Sequence, residues 1–274
     1  MCSAVYIKKG HPLLGRTLDL EYDIERELIR VPSERHLEIA RLHGGEDRYS
    51  FVGVGQDRED TVLMFDGVNS RGLAAAALNF PGDAVYTPTR AEKNGIASYE
   101  ILPFVLSSCA SVAEAAVALY GVGVTDRAYS EDTPPSALHF IFADSCGTLV
   151  AEPLEGGLRL YRNRTAVLTN SPALERQLGF IFDEIPAGHS SIERFCRGRE
   201  LLSQREDAVE VEQDKGASHA FSDMMSILGN LSVPYGCSKR GDGYMQTRYI
   251  SVMDTVSGEY TLFDLKARSL CSLS

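Results

Sequence analysis

The stretch from Gly72 to Gly82, Gly-Leu-Ala-Ala-Ala-Ala-Leu-Asn-Phe-Pro-Gly, constrains the fold of this chain most tightly. A run of small alanines between Leu73 and Leu78 predicts a strand packed closely on both faces. Thr61 to Asp66 reads as the strand before it, with a hairpin turn over Gly67 to Gly72. Pro81-Gly82 stops the alanine strand and exposes Asn79 at its mouth. An asparagine there is either a turn former or a hydrogen-bond donor to a reacting carbonyl.

The rest of the chain supplies partners for such a strand. Ser3 to Lys8 and Leu13 to Asp19 read as two strands joined by a turn at Gly10-His11-Pro12. Glu27 to Pro32 and Ser50 to Gly55 are further strands, with a polar surface bend or loop from Arg35 to Arg48 between them. Ser98 to Ser108 carries an apolar helical stripe at Ile101, Leu102, Val105 and Leu106. Ser111-Val-Ala-Glu114 is a capping box opening a helix that ends before Gly121. Strands return at Ala137 to Ala143, Thr148 to Glu152, Leu158 to Tyr161 and Ala166 to Thr169. Glu193 to Gln204 and Ser218 to Leu228 read as helices, separated by a charged linker from Glu206 to Lys215. Two closing strands, Thr247 to Met253 and Glu259 to Phe263, turn at Ser257-Gly258. Strands, helices, strands, helices, strands is the order of stacked antiparallel sheets covered by helices, an α+β layered fold.

With 274 residues, 44% of them hydrophobic, the chain is long enough to bury a sizeable core, and we expect one domain over residues 1–274. The net charge of −11 argues against nucleic acid or anionic membranes as partners. No apolar stretch is long enough to span a bilayer and no apolar signal region opens the chain, so the expectation is a cytoplasmic protein. Its six cysteines, at 2, 109, 146, 196, 237 and 271, include no C-x-x-C pair, which argues against a zinc or thioredoxin-like site. Cys109, Cys146 and Cys196 lie in or beside apolar stretches and read as buried core thiols. His139 alternates within a strand and reads as a satisfied core histidine rather than a base. Met224 and Met225 read as core filler.

Met1-Cys2 carries the chemistry. Cysteine is small enough for an aminopeptidase to remove the preceding Met, which leaves a thiol and a free α-amine on one residue. That is a complete nucleophile–base pair of the N-terminal nucleophile type. The first hairpin brings Arg16 and Asp19 back towards this end, where a cation and a carboxylate act on thiol and amine. Without Cys2 the same two residues would read as a surface ion pair.

These features resemble the choloylglycine hydrolases, the bile salt hydrolases and penicillin V acylases of the N-terminal nucleophile superfamily. The resemblance rests on Met1-Cys2, Gly15-Arg16-Thr-Leu-Asp19, Gly72 to Gly82, Pro134-Pro-Ser-Ala-Leu-His139, Leu168-Thr-Asn-Ser-Pro172 and Tyr249-Ile-Ser-Val-Met-Asp254. It implies the family's αββα sandwich. It implies Cys2 as nucleophile, Arg16 favouring thiolate and Asp19 holding the α-amine. Asn79 and Asn170 then stand near the oxyanion, and Arg194 matches the family's second arginine. The implied reaction is acyl transfer through a thioester, with no metal or cofactor. The partner is a small-molecule N-acyl amide.

Three functions compete. The first is cleavage of glycine- or taurine-conjugated bile acids. The second is penicillin V or other N-acyl amide hydrolysis. The third is a non-catalytic member that binds amphipathic ligands. Penicillin V acylases tend to carry tyrosine where this chain has Asn79, and Leu78-Asn-Phe-Pro-Gly82 resembles the bile salt side. Leu18, Tyr22, Met64 and Phe65 are candidate walls of an apolar acyl pocket. The family's longer glycine-rich segment between Pro172 and Arg194 is absent here, so the expectation is not the family's tetramer but a smaller homo-oligomer, a dimer, or a monomer.

Overall fold

The computed structural model describes residues 1–35, 37–39, 48–59, 61–89, 95–211 and 216–274. Strands β1 (Cys2–Ile7) and β2 (Leu13–Leu20) form the predicted hairpin, with Cys2 opposite Leu18 and Ile7 opposite Leu13. β3 (Glu27–Val31), β4 (Phe51–Asp57), β5 (Val62–Asn69) and β6 (Ala74–Asn79) follow as an antiparallel meander. β5 runs on through Gly67, which pairs with Gly53 and Ala75, so the turn is shorter than the Gly67–Gly72 expected. Gly72 is required at this turn. It has φ +81°, and a Cβ there would lie 2.1 Å from the Thr255 carbonyl oxygen.

A short parallel pair, β7 (Ile96–Ala97) with β8 (Val124–Thr125), brackets helices α1 (Ile101–Ser108) and α2 (Val112–Leu119). The Ser111 side chain caps α2 by accepting the Glu114 N–H. β9 (Leu138–Asp144), β10 (Gly147–Leu154) and β11 (Gly157–Arg162) are sequential hairpins. β12 (Val167–Leu168) returns to pair with β1. Helices α3 (Leu174–Gln177), α4 (Ser191–Val211) and α5 (Ala217–Leu231) come next. β13 (Ser238–Arg240), β14 (Gly243–Asp254), β15 (Tyr260–Asp264) and β16 (Ser269–Leu273) close the chain.

Two antiparallel sheets result. One runs β12-β1-β2-β14-β15-β16, with β13 on β14; the other runs β11-β10-β9-β6-β5-β4-β3. The alanine strand lies inside the second and is buried on both faces, as its composition predicts. Ala74, Ala76 and Leu78 join the core shared with β1 and β2, whereas Leu73, Ala75 and Ala77 join the core under α1 and α2. On the far side α5 lays Ala220, Met224, Ile227, Leu228 and Leu231 against β1 and β2. Gly15 permits that approach, since a Cβ there would meet the Met224 sulfur at 2.5 Å. The layers are therefore helix, sheet, sheet, helix: the αββα sandwich.

Several expectations need correction. Residues 206–211, expected as a solvated linker, continue α4, because no glycine or proline interrupts them before Gly216. Lys215 and the three residues before it lie outside the described residues. Of the Arg35–Arg48 loop, 36 and 40–47 lie outside as well, and Leu37 and Ile39 are buried rather than at the surface. Cys109 is buried, but Cys146 is exposed at the β9–β10 turn and Cys196 is half-buried on α4. Apolar neighbours in sequence do not bury a turn residue that points outward. β13 and β16 were not legible as strands, being polar and largely exposed. His139 and Met224 are core residues, as read. No helix among the described residues is long and apolar enough to cross a membrane.

Candidate active site

The β1–β2 register divides the site into two faces. Cys2, Ala4, Arg16 and Leu18 share one face of the sheet, and Ser3, Thr17 and Asp19 share the other. The first faces the second sheet, and the second faces α4. Arg16 and Asp19, three residues apart, therefore act from opposite sides of the sheet that carries Cys2.

On the inner face, Arg16 Nη2 donates to Cys2 Sγ at 3.2 Å and to the Ala77 carbonyl at 3.2 Å. Nη1 donates to Asp66 Oδ2 at 2.6 Å and to the Tyr249 hydroxyl at 3.0 Å. That hydroxyl in turn donates to Asp66 Oδ2 at 2.5 Å, and the Tyr260 hydroxyl donates to Oδ1. Arg16 and Asp66 are wholly buried, and the pair is held by the hydrogen bonds to both Nη atoms and both carboxylate oxygens, while Arg16 Nε has no partner among the described residues. Burial works against the Arg16 charge, but Tyr249, Cys2 and Asp66 outweigh it and hold the guanidinium above its usual range. Burial, reinforced by Asp66, also raises both tyrosines well above theirs, which keeps them hydrogen-bond donors to the carboxylate.

On the outer face Arg194 reaches in from α4. Nη1 donates to the Cys2 carbonyl at 2.6 Å and to Ser3 Oγ at 2.5 Å, and Nη2 donates to Asn170 Oδ1 at 2.9 Å. Its Asp19 partner lies 3.7 Å away. Burial lowers this guanidinium, against the pull of Asp19 and Cys2. Asp19 accepts from Thr247 Oγ1 at 2.7 Å and from Thr17 Oγ1 at 3.3 Å. The α-amine, borne by Met1, donates to the Asp19 carbonyl, and burial pushes it below its usual value.

The two asparagines have different environments. Asn170 Oδ1 accepts the Cys2 N–H at 2.7 Å, and its Nδ2 donates to the Asn79 carbonyl at 2.6 Å. The backbone N–H of Cys2 is thus held by Asn170 while Met1 is attached. Asn79 lines a cavity of about 360 Å³ together with Cys2. No described residue hydrogen-bonds its side-chain amide. Leu18, Tyr22, Met64 and Phe65, the four residues read as pocket walls, all line the same cavity. Leu20, Ile24, Leu63 and Leu138 extend the apolar lining, and Gln56, Arg58, Tyr99, Tyr129 and Ser136 add polar groups. A mostly apolar pocket with a few polar groups suits an amphipathic acyl chain.

Sequence reasoning missed Asp66, Tyr249, Tyr260 and Thr247. Asp66 had a legible signal, an acid within an otherwise apolar strand, where burial demands a cation or several donors. Among the described residues no three His, Cys, Asp or Glu side chains are grouped to hold a metal ion.

The chain is similar to several known proteins. The model of the linear amide C–N hydrolases, choloylglycine hydrolase family, matches residues 2–184. The bile salt hydrolase/transferase of Lactiplantibacillus plantarum is 27% identical over 290 residues, covering 95% of this chain and 88% of the relative. That of Bifidobacterium longum subsp. longum is 29% identical over 280 residues, covering 90% and 86%. Conjugated bile acid hydrolase from Clostridium perfringens superposes with a TM-score of 0.86 at 23% identity, over 100% of this chain and 92% of that one. Penicillin V acylase from Agrobacterium tumefaciens superposes with a TM-score of 0.80 at 22% identity, over 100% and 86%. The two structural likenesses establish the shared sandwich, and the family match spans more than half of the chain from Cys2 onward. On that match the chain belongs to the choloylglycine hydrolase family, the hydrolases of linear amide carbon–nitrogen bonds.

Proposed function

We propose that Cys2, freed of Met1, is the nucleophile of an amide hydrolase that splits glycine- or taurine-conjugated bile acids. One observation carries the reading: Cys2 Sγ, 3.2 Å from the Arg16 guanidinium, stands at the same cavity as the Asn79 amide, which no described residue bonds. The guanidinium donates to the sulfur and so orients it at the cavity. Removal of Met1 turns the Cys2 nitrogen into the α-amine, still facing Asn170 Oδ1. The amine takes the thiol proton as sulfur attacks the amide carbon.

The carbonyl oxygen gains charge, and an Asn79 N–H directed at it contributes about 2.7–4 kcal/mol. Collapse breaks the C–N bond, and the proton passes from the α-amine to the leaving glycine or taurine nitrogen. A thioester remains on Cys2. Water attacks it, one proton returns through the amine to sulfur, and the free acid departs. Arg194 and Asp19 do not reach the substrate in this scheme; they hold the Cys2 backbone and the turn of β2 behind it.

The bile acid assignment is supported by the apolar walls of the cavity, by asparagine at 79, and by relatives that are themselves bile salt hydrolases. Intact mass should show loss of Met1, and Cys2→Ala should fold without hydrolysing. Glycine- or taurine-conjugated bile acids should exceed phenoxymethylpenicillin at least ~10-fold in kcat/KM, about 1.4 kcal/mol of discrimination. Equal or better cleavage of the penicillin would overturn the substrate assignment. Full activity with Met1 retained would overturn the nucleophile, and absence of all hydrolysis would favour a ligand-binding role.

A further inference from the structure

One buried pair takes no part in that chemistry yet touches both asparagine-bearing strand ends. His139 stands on β9 opposite Leu78, one residue before Asn79 on β6. Its ring and the Glu152 carboxylate are both wholly buried, with Nδ1 3.1 Å from Oε1. Nε2 lies 2.7 Å from the Thr169 carbonyl oxygen. A carbonyl only accepts, so Nε2 carries a proton.

The ring grips both arms of the site. Phe80, next to Asn79, stacks on it with centroids 4.3 Å apart and planes 11° from parallel. On the other arm, the Thr169–Asn170 peptide group is held at both ends. His139 Nε2 donates to its oxygen, and its N–H donates to Ser191 Oγ at 2.9 Å. Glu152 completes the clamp by accepting the Leu174 N–H at 3.0 and 3.2 Å, which ties down the start of α3 just beyond Pro172.

We propose that His139 and Glu152 are positioning residues for amide hydrolysis: one imidazole fixes the spacing between Asn79, which faces the forming oxyanion, and Asn170, which holds the Cys2 nitrogen. The inference rests on the reading of Cys2 as nucleophile. A donor aimed at charge that exists only in the transition state must be placed to a fraction of an ångström, and displacement costs turnover rather than ground-state binding.

Two isosteric substitutions separate the ring's two bonds. In His139→Asn the amide takes the place of Nδ1 and keeps Glu152 but not Thr169. In His139→Gln the amide takes the place of Nε2 and keeps Thr169. Hydrolysis of glycocholate by His139→Asn should fall about 30- to 100-fold in kcat, with KM within about threefold. Iodoacetamide alkylation of Cys2, which forms no oxyanion, should stay within about twofold. His139→Gln, which keeps the Thr169 bond but not the stack on Phe80, should recover part of the kcat.

Equal losses in the two variants, KM rising in step with the kcat loss, or alkylation falling with it, would mean a merely structural histidine and overturn the inference. If His139→Asn does not fold, Phe80→Leu, which removes the stack and leaves every polar bond, must show a kcat-only loss equal to the part that His139→Gln does not recover; an unchanged kcat overturns the proposal. A wild-type protein inactive on all acyl amides would overturn the Cys2 reading. An active wild type matched by His139→Asn overturns only the positioning role.

Discussion

Asn79 and Asn170 look alike in sequence, each at the end of a strand, but the structure gives them different loads. The Asn79 side chain is half-buried, faces the cavity and is bonded by no described residue. Its backbone carbonyl, which receives Asn170 Nδ2, survives substitution. Asn79→Ala should therefore remove an oxyanion donor and little else. We expect kcat to fall about 10²–10³-fold, about 2.7–4 kcal/mol, with KM within about threefold. The thermal midpoint should stay within about 2 °C.

Asn170→Ala removes the acceptor of the Cys2 N–H, an acceptor of Arg194 and the bond to Asn79. Arg194 is wholly buried, and losing one hydrogen bond to a charged group costs about 1.5–3 kcal/mol. At this chain length that lowers the midpoint by about 3–10 °C, in addition to any loss of turnover. The assay is amine release from a conjugated bile acid under steady-state conditions, beside thermal melts and Cys2 alkylation. Alkylation should proceed at the wild-type rate in Asn79→Ala. A kcat loss below about tenfold in that variant, or a midpoint depressed as far as in Asn170→Ala, would refute the division of labour.

Two further outcomes test the packing. Burial, with Glu114 beside it, pushes the Cys109 thiol up to about 12, leaving about one part in 10⁴ as thiolate at pH 8. Iodoacetamide at that pH should label the exposed Cys146, Cys237 and Cys271 long before Cys109, and equal labelling in the native protein would contradict this burial. The thiol's contribution to stability is complete below the ordinary value of 9.0 and is lost as pH rises from there towards about 12, since the unfolded chain releases its proton first. Gly72→Ala should cost about 2–4 kcal/mol, because positive φ and a backbone oxygen 2.1 Å from the new Cβ leave no side chain to yield. A melt within about 2 °C of wild type would refute that.

Local patterns carried much of the architecture. Turn residues at Gly10-His11-Pro12 fold Arg16 back to the N-terminus, because a short hairpin admits few registers, and the structure pairs Ala4 with Arg16 accordingly. The alanines of β6 foretold a strand with a core on each side, because only small residues let two layers approach one sheet so closely. Cys2, Asn79 and the four expected wall residues line one cavity, and Arg16, Asn170 and Arg194 each bond Cys2, since motif spacing and strand ends are local properties.

What required tertiary structure is the pairing of distant side chains. Asp66, Tyr249 and Tyr260 come from three strands on two sheets, and only their packing shows that Arg16 shares its charge with a buried carboxylate. Likewise, strand spacing by itself does not say which face meets which layer. The fold set Arg16 towards the second sheet and Asp19 towards α4, and so gave the Cys2 nitrogen to Asn170. Alternation along a strand follows from the chain's own geometry, whereas the partner across each face is decided by whichever element packs there.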